Sequence, residues 1–401
     1  MPTRWRSVVR YQVDPEDFQV EEIIRVPQGE GPYTIYRVRK RGRTTLEVQA
    51  ELASALGRPL SQVHFPALKD RRSVATQYAA VQGEGPAALK GDGWSARRLG
   101  TSPRPLHPRD LRGNRFTVIL RNLADEEIAG VAARLKELSL FGFPNYFDAQ
   151  RFGSRTPGAE WVGKRILRGD AEGALRAHFC EPMAGDPQEL LRFKAQAAHL
   201  WGDWEGLLEI VPRLSNLRSV LVFLRDHPEA FRKALNLVTP RILSLYLAAY
   251  QSLLWNRLAG RLIRQEMGSD TPLEELEIAG ERLPVYRQLS GACLARWRKR
   301  SLPLAHHRLA LDPSASSLYA PLLAEEGLSW SDLKPRLLRR AYLGAGTRRL
   351  LAFPDQVAIL QASADKRFPG RWCLGIRFLL SPGTYATLLL RLLGAGIWEE
   401  S

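Results

Sequence analysis

The sequence predicts a mixed chain of strands and helices, with strand-bearing modules at both ends and a helix-rich block between them. Three observations support this. Residues up to about 165 alternate β-rich runs with capped amphipathic helices, residues from about 169 to 352 show apolar spacing of helical period, and strand character returns after 353. That arrangement suggests one discontinuous domain carrying an insertion, although two tandem domains give a similar local pattern. The length of 401 residues is in keeping with two domains.

DFQVEEIIRV (17–26) and YTIYRVRKR (33–41) are β-rich runs separated by the turn-forming PQGEGP. TTLEVQAELASALG (44–57) follows as a capped amphipathic helix that stops at Gly57. YAAVQG (78–83) and RFTVILRNL (115–123) have strand character, and ADEEIAGVAARLKELSLFG (124–142) reads as a helix with acidic residues early and a closing glycine. In the central block AEGALRAHFC, LRFKAQAAHLWGDWEGLLEIV, RILSLYLAAYQSLLWNRLAGRLIRQEM and SWSDLKPRLLRRAYL carry helical periodicity, and LPVYRQLSGACLARWRKRSLP is less regular. VAILQA and RWCLGIRFLL (371–380) are strand-like, and PGTYATLLLRLLGAG is read as a helix begun by Gly383 and Thr384, with Tyr385 in its first turn.

A composition of 45% hydrophobic and 25% charged residues excludes a disordered or fibrous chain. Lys and Arg total 58 against 42 Asp and Glu, a formal charge of +16, and 48 of the 58 are Arg. The guanidinium forks onto phosphate oxygens, so this excess points to a polyanionic partner, most simply a nucleic acid, with a basic proteome bias as the bland alternative. Cys180, Cys293 and Cys373 are odd in number and far apart, which leaves no disulfide framework or zinc ribbon and fits a reducing compartment. MPTRWRSVVRY has no apolar signal region, and the apolar stretch near the C-terminus carries Pro382 and Arg391, so a cytoplasmic protein without a membrane span is expected.

No P-loop, HExxH or strand-linked GxGxxG occurs, and the pair His306 and His307 has no partner ligands at metal spacing. This argues against metal, nicotinamide and ATP chemistry. Four segments remain. In HFPALKDRRSVATQYAAV (64–81), Lys69 and Asp70 sit beside Arg71 and Arg72; positive neighbours favour an ionised carboxylate, which suits a nucleophile or base, whereas the plain alternative is a solvated charge run. FPNYFDAQRFG (143–153) interleaves aromatics with amides and Arg, a set that stacks on a base and bonds its edge, or else forms a buried aromatic cluster with Asn145 capping a turn. In DPEDFQVEE (14–22), Phe18 reads as an inward strand residue, and in IRFLLSPGTYATLLLR (376–391) Tyr385 is placed to present a ring at a helix start.

These segments, in this order, resemble the TruD family of RNA pseudouridine synthases, which acts on transfer RNA. The similarity runs from about residue 11 to the C-terminus and is strongest in NYFDAQRFG, PEDFQVEE and LKDRRSVATQ, with support from DLRGNRFTVILR and AAYQSLLWNRL. It implies that Asp70, preceded by Lys69, is the essential aspartate, that Asn145 contacts the base, and that Phe18 and Tyr385 hold it, with Phe147 in the family's asparagine, tyrosine, phenylalanine motif. Asp148 departs from the usual glycine, Tyr385 from a phenylalanine, Ala75 from a threonine and Thr44 from a frequent asparagine. An extra carboxylate at 148 would weaken phosphate contact or alter substrate choice.

The resemblance also implies an α+β fold: a catalytic domain with a mixed, largely antiparallel sheet built from 1–168 and 353–401, and a helix-rich inserted α+β domain over 169–352 across a basic cleft that holds the RNA. A monomer is expected, since no long coiled-coil seam appears. The implied reaction isomerises a uridine with no cofactor, and uridine 13 of tRNA is the first target to try. Asp70 would attack C1′ or take the C2′ proton to give a glycal, and Lys69 and Arg71 would keep it charged or touch flanking phosphates. A broader RNA target and an RNA-binding protein without turnover are the alternatives.

Overall fold

The structure, a computed structural model, describes residues 9–397 other than 28, 155, 157, 214, 215 and 269–271. It divides into two units, Met1–Phe143 with Ala352–Ser401, and Pro144–Leu351. The first crossing thus falls between 143 and 144 rather than 168 and 169, and the return lies one residue before the expected 352/353. The Asn256 side chain holds the Phe147 backbone at 2.8 and 2.9 Å, and the rest of the first shift belongs to the helix Val162–Arg168. That helix lies so close to the long helix of the second unit that a Cβ on Gly163 would meet the Tyr246 carbonyl at 2.5 Å, a neighbour local periodicity does not reveal.

The first unit is built on an 11-stranded sheet. Its strands are β1 (Val9–Tyr11), β2 (Phe18–Ile24), β3 (Tyr33–Arg41), β4 (Val63–His64), β5 (Val74–Gln82), β6 (Ala88–Gly91), β7 (Trp94–Ser102), β8 (Leu111–Leu123), β9 (Asp355–Ala364), β10 (Trp372–Leu380) and β11 (Ala395–Ile397). The order is β9-β10-β8-β2-β5-β3-β7-β6, with β4 on β5 and β1 on β8 and β11. Only the β2–β5 and β1–β11 pairs are parallel among the registered pairs of this sheet; the rest are antiparallel. The sheet is therefore mixed and largely antiparallel, and C-terminal strands β9 and β10 extend it beyond β8.

The helix Thr45–Ala55 starts on a capping box: the Thr44 hydroxyl accepts from the Glu47 amide at 3.2 Å, and the Glu47 carboxylate accepts from the Thr44 amide at 2.7 Å. Threonine and asparagine both rank as good N-caps, and Thr44 takes that place here. Val48 and Leu52 from this helix bury against Tyr36, Val38, Ala79, Val81, Trp94 and Ala96 of the sheet. The helix Asp125–Phe141 ends at Gly142, whose φ of +68° suits glycine.

The second unit surrounds the 28-residue helix Pro240–Met267, which is buried nearly all round from Tyr246 to Leu254. Short helices precede it, and the antiparallel pairs Glu274–Ile278 with Glu281–Val285 and Ser301–Pro303 with Thr347–Arg349 follow. LRFKAQAAHLWGDWEGLLEIV holds two helices, Gln188–Ala197 and Trp204–Ile210, joined by a turn that contains Gly202 at φ +101°. One expectation needs correction. SWSDLKPRLLRRAYL is a looped segment, because Pro335 interrupts it and Asn236 binds its Leu337 carbonyl and Arg339 amide at 2.8 and 2.9 Å. Among the described residues no helix is long and apolar enough to cross a membrane.

Candidate active site

Directly opposed residues in neighbouring strands share a face of the sheet. By register, Phe18, Val20 and Glu22 of β2 lie opposite Val118, Phe116 and Asn114 of β8, while Phe116 lies opposite Phe378 of β10. Val20 also lies opposite Ala75 of β5, and Ala75 opposite Lys40 of β3. One face thus carries an aromatic stretch beside a polar one. Because β2 and β5 run parallel, with Gln19 beside Val74, Phe18 and the Asp70 loop entering β5 come to the same end of that pair.

Asp70 is exposed, and the backbone beneath it is held on several sides. The Lys69 amide donates to Thr45 Oγ1 at 2.8 Å, and the Asp70 carbonyl accepts from Ser73 Oγ at 2.9 Å and from Lys40 Nζ at 2.5 Å. Lys40 is 1% exposed and also donates to the Arg43 carbonyl at 2.7 Å. Burial pushes its ammonium down to about 8, against an opposing pull from the Asp70 carboxylate. Nothing local singles out Lys40, because a lysine within RVRKR has the look of solvated charge.

Lys69 does not turn its ammonium to Asp70 or to open solvent. It donates to Asn114 Oδ1 at 2.6 Å and pairs with buried Glu22 at 3.3 Å. Gln77 Nε2 and the Tyr78 amide also donate to Glu22, at 3.3 and 3.2 Å. Burial raises the Glu22 carboxyl while Lys69 opposes the shift. Arg71 pairs with Glu47 at 2.5 Å. Both cations flanking Asp70 in sequence therefore have carboxylate partners elsewhere, and Lys69 ties the loop to the face bearing Phe18.

Phe18 is 7% exposed, its ring tilted on Phe116 at 5.7 Å and near Tyr11 at 6.0 Å; Phe116 stacks on Phe378 at 5.4 Å. Tyr385 is half-buried, just beyond the turn that follows β10. Its backbone is extended (φ −97°, ψ 119°), and the helix begins after it, at Ala386. The ring is therefore carried by the residue preceding the helix, not by its first turn. Leu380, the last residue of β10, lies opposite Asn114, so the strand ends at the residue that receives Lys69.

Asn145 and Phe147 belong to the second unit. Asn145 Nδ2 donates to the Arg349 carbonyl at 3.2 Å, and its Oδ1 and carbonyl accept from Arg348 at 2.8 and 2.6 Å. An amide has two N–H donors and two oxygen lone pairs, so among the described residues these bonds orient Asn145 and use one of each. Phe147 is buried: the Asn256 side chain bonds its N–H and carbonyl at 2.8 and 2.9 Å, and the Arg348 guanidinium lies 4.0 Å from its ring centre. Arg348 thus fixes the asparagine and phenylalanine together. Asp148 is 2% exposed, which corrects the expectation of a carboxylate facing phosphate.

An exposed carboxylate on a clamped loop, tied through Lys69 to the sheet face that also bears Phe18, has the chemistry for nucleophilic attack or proton removal. Among the described residues no group of three His, Cys, Asp or Glu is placed to hold a metal ion. Comparison with known proteins makes the class specific. The model of the family described as tRNA pseudouridine synthase D (TruD) matches residues 9–288. The tRNA pseudouridine synthase D of Geobacter sulfurreducens is 30% identical over 95% of this chain and 92% of its own. That of Aquifex aeolicus is 27% identical over 96% and 97%. The crystal structure of a Methanosarcina mazei chain described as TruD superposes with a TM-score of 0.71 at 24% identity, over 96% of this chain and 93% of its own, and shows the same fold. The chain belongs to the TruD family of tRNA pseudouridine synthases, which are isomerases.

Proposed function

We propose that the chain isomerises one uridine of tRNA, uridine 13, to pseudouridine, with Asp70 acting at the glycosidic centre. The bond from N1 to C1′ breaks, C5 joins C1′, the C5 proton leaves and N1 gains one, so nothing is oxidised or consumed. Asp70 serves as nucleophile at C1′ or as base toward the C2′ proton. The free uracil must stay in place between the two bond changes. Phe18 and Tyr385 are assigned to its faces and Asn145 to its edge, with Phe147 supporting Asn145 and Lys69 supporting the Asp70 loop. The protein is read as a cytoplasmic monomer.

The observation that carries this reading is the presentation of Asp70: an exposed carboxylate whose own carbonyl is bonded by Lys40 and Ser73 and whose neighbour's amide is bonded by Thr45. A solvated charge run has no need of such anchoring. The test is chemical mapping of pseudouridine in cellular tRNA with the active protein or Asp70→Asn. One site lost with the variant names the substrate, while its tRNA affinity should stay within about tenfold, because the carboxylate contributes chemistry more than binding. Substantial turnover by the variant removes Asp70 from this role.

A further inference from the structure

Many arginines of the second unit are already neutralised: Arg257, Arg264, Arg287 and Arg296 each pair with a glutamate. One group is not arranged that way. A cavity of about 760 Å³ within this unit is lined by Arg232, Lys233, Arg339 and Arg340, with Asn236 and Phe223 also in its wall and no carboxylate among its lining residues. Among the described residues, none of these four cations forms an ion pair with Asp or Glu.

The fold assembles this concentration of charge from two separated segments. Asn236 Nδ2 donates to the Leu337 carbonyl at 2.8 Å and its Oδ1 accepts from the Arg339 amide at 2.9 Å, while Arg232 donates to the Arg336 carbonyl at 3.0 Å. These bonds fix the loop bearing Arg339 and Arg340 against the end of the helix Phe231–Leu235. Like charges held together in a concavity repel one another and attract an anion of extended shape.

We propose that this cavity is a docking site for the phosphodiester backbone of RNA. The proposal rests on the reading that the enzyme acts on tRNA. Guanidinium forks suit phosphate oxygens, and the Phe223 ring with the neighbouring Leu237 and Leu243 offers an apolar wall to a ribose or base. The volume is on the scale of a drug-sized ligand, so more than a single phosphate fits. An acidic protein segment would satisfy the charges equally well, since carboxylates also accept forked donors; the apolar wall of Phe223, Leu237 and Leu243 beside the cations favours a polyanion whose charges alternate with riboses and bases.

The test measures binding of a full-length tRNA transcript across a salt series. Arg339→Gln with Arg340→Gln should weaken binding about tenfold and make the log–log salt slope shallower by about 1.5, following the loss of two phosphate contacts. Lys233→Gln alone should move the slope about half as far. Arg264→Gln with Arg287→Gln, which removes two arginines already paired with glutamates, should bind like wild type. Thermal melting checks that each variant is folded, and wild-type pseudouridine formation is assayed alongside. A wild type that binds but forms no pseudouridine defeats the functional reading while leaving the binding comparison to be judged by itself. An active wild type with pocket variants of unchanged affinity and slope overturns the docking site, as does wild-type binding that polyglutamate competes as well as RNA of equal charge.

Discussion

The ammonium of Lys40 donates to the backbone carbonyl of Asp70 at 2.5 Å, from a position that is 1% exposed. A buried lysine placed this way is a positioning residue: it sets where the carboxylate stands and supplies a positive charge near it. Burial brings its pKa from 10.5 down to about 8. Between those values the unfolded chain still holds a proton that the folded chain has released, so Lys40 taken alone makes the fold more stable as pH rises through that window. The neutral amine also keeps two N–H groups for its two carbonyl partners. Loss of the charge should therefore appear in rate rather than in folding. The single-turnover rate should fall on an alkaline limb near pH 8, and that limb should be absent in Lys40→Met, which should be slower at pH 7 with tRNA affinity little changed. The same alkaline limb in both proteins would separate Lys40 from the chemistry.

Lys69 and Glu22 offer a test of the loop's attachment to the sheet. The Glu22 side chain is fully buried and that of Lys69 is 11% exposed, so removing one partner leaves a charge without its counterpart. Lys69→Met should cost about 3 kcal/mol of stability or somewhat less, because Gln77 and Tyr78 still donate to the carboxylate. Adding Glu22→Gln should recover part of that loss, giving a coupling energy of about 1–3 kcal/mol in a denaturation cycle. Additive losses would mean that the two side chains do not support each other.

In the second unit Arg348 should act through Asn145. Its guanidinium bonds the Asn145 carbonyl and side-chain oxygen and covers the Phe147 ring, a set of contacts that lysine's single ammonium does not reproduce. Arg348→Lys should lower the single-turnover rate about tenfold or more with tRNA affinity nearly unchanged, as should Asn145→Ala. The double variant should be no slower than the worse single one, since both remove the same placement. Multiplicative losses would give Arg348 a separate task.

These contacts show where sequence reading stops. Tyr33–Arg41 was legible because its strand character is bounded by turn residues, and Asp125–Phe141 because acidic residues open it and glycine closes it. Lys40 was not, since burial of a lysine depends on the carbonyls of Arg43 and Asp70 folding over it. Arg348 and Asn145 are separated by 203 positions, and nothing local joins them. Residues 329–343 have helical spacing, yet Asn236, about a hundred positions earlier, binds that segment's backbone as a loop. Local chemistry singles out Asp70 among cations and Tyr385 beside a glycine, with Phe18 as an inward strand residue, and the family resemblance gives the three their roles; the parallel β2–β5 pair supplies the reason that Phe18 and the Asp70 loop share one end of the sheet.

Tyr385 tests whether its ring or its hydroxyl matters. The residue is half-buried and extended immediately before the helix Ala386–Leu392, after the strand that carries Phe378. If the ring covers one face of the detached uracil, the useful property is its flat surface, and an aromatic stack is worth about 1–3 kcal/mol per base. Tyr385→Phe should then retain the single-turnover rate within about threefold, whereas Tyr385→Ala should lose roughly 5- to 150-fold, the rate equivalent of that stacking energy. The loss should persist at saturating tRNA, because a misplaced free uracil slows rejoining after the RNA is already bound. A Tyr385→Phe variant as slow as Tyr385→Ala would transfer the role from the ring to the hydroxyl, and the stacking assignment would fall.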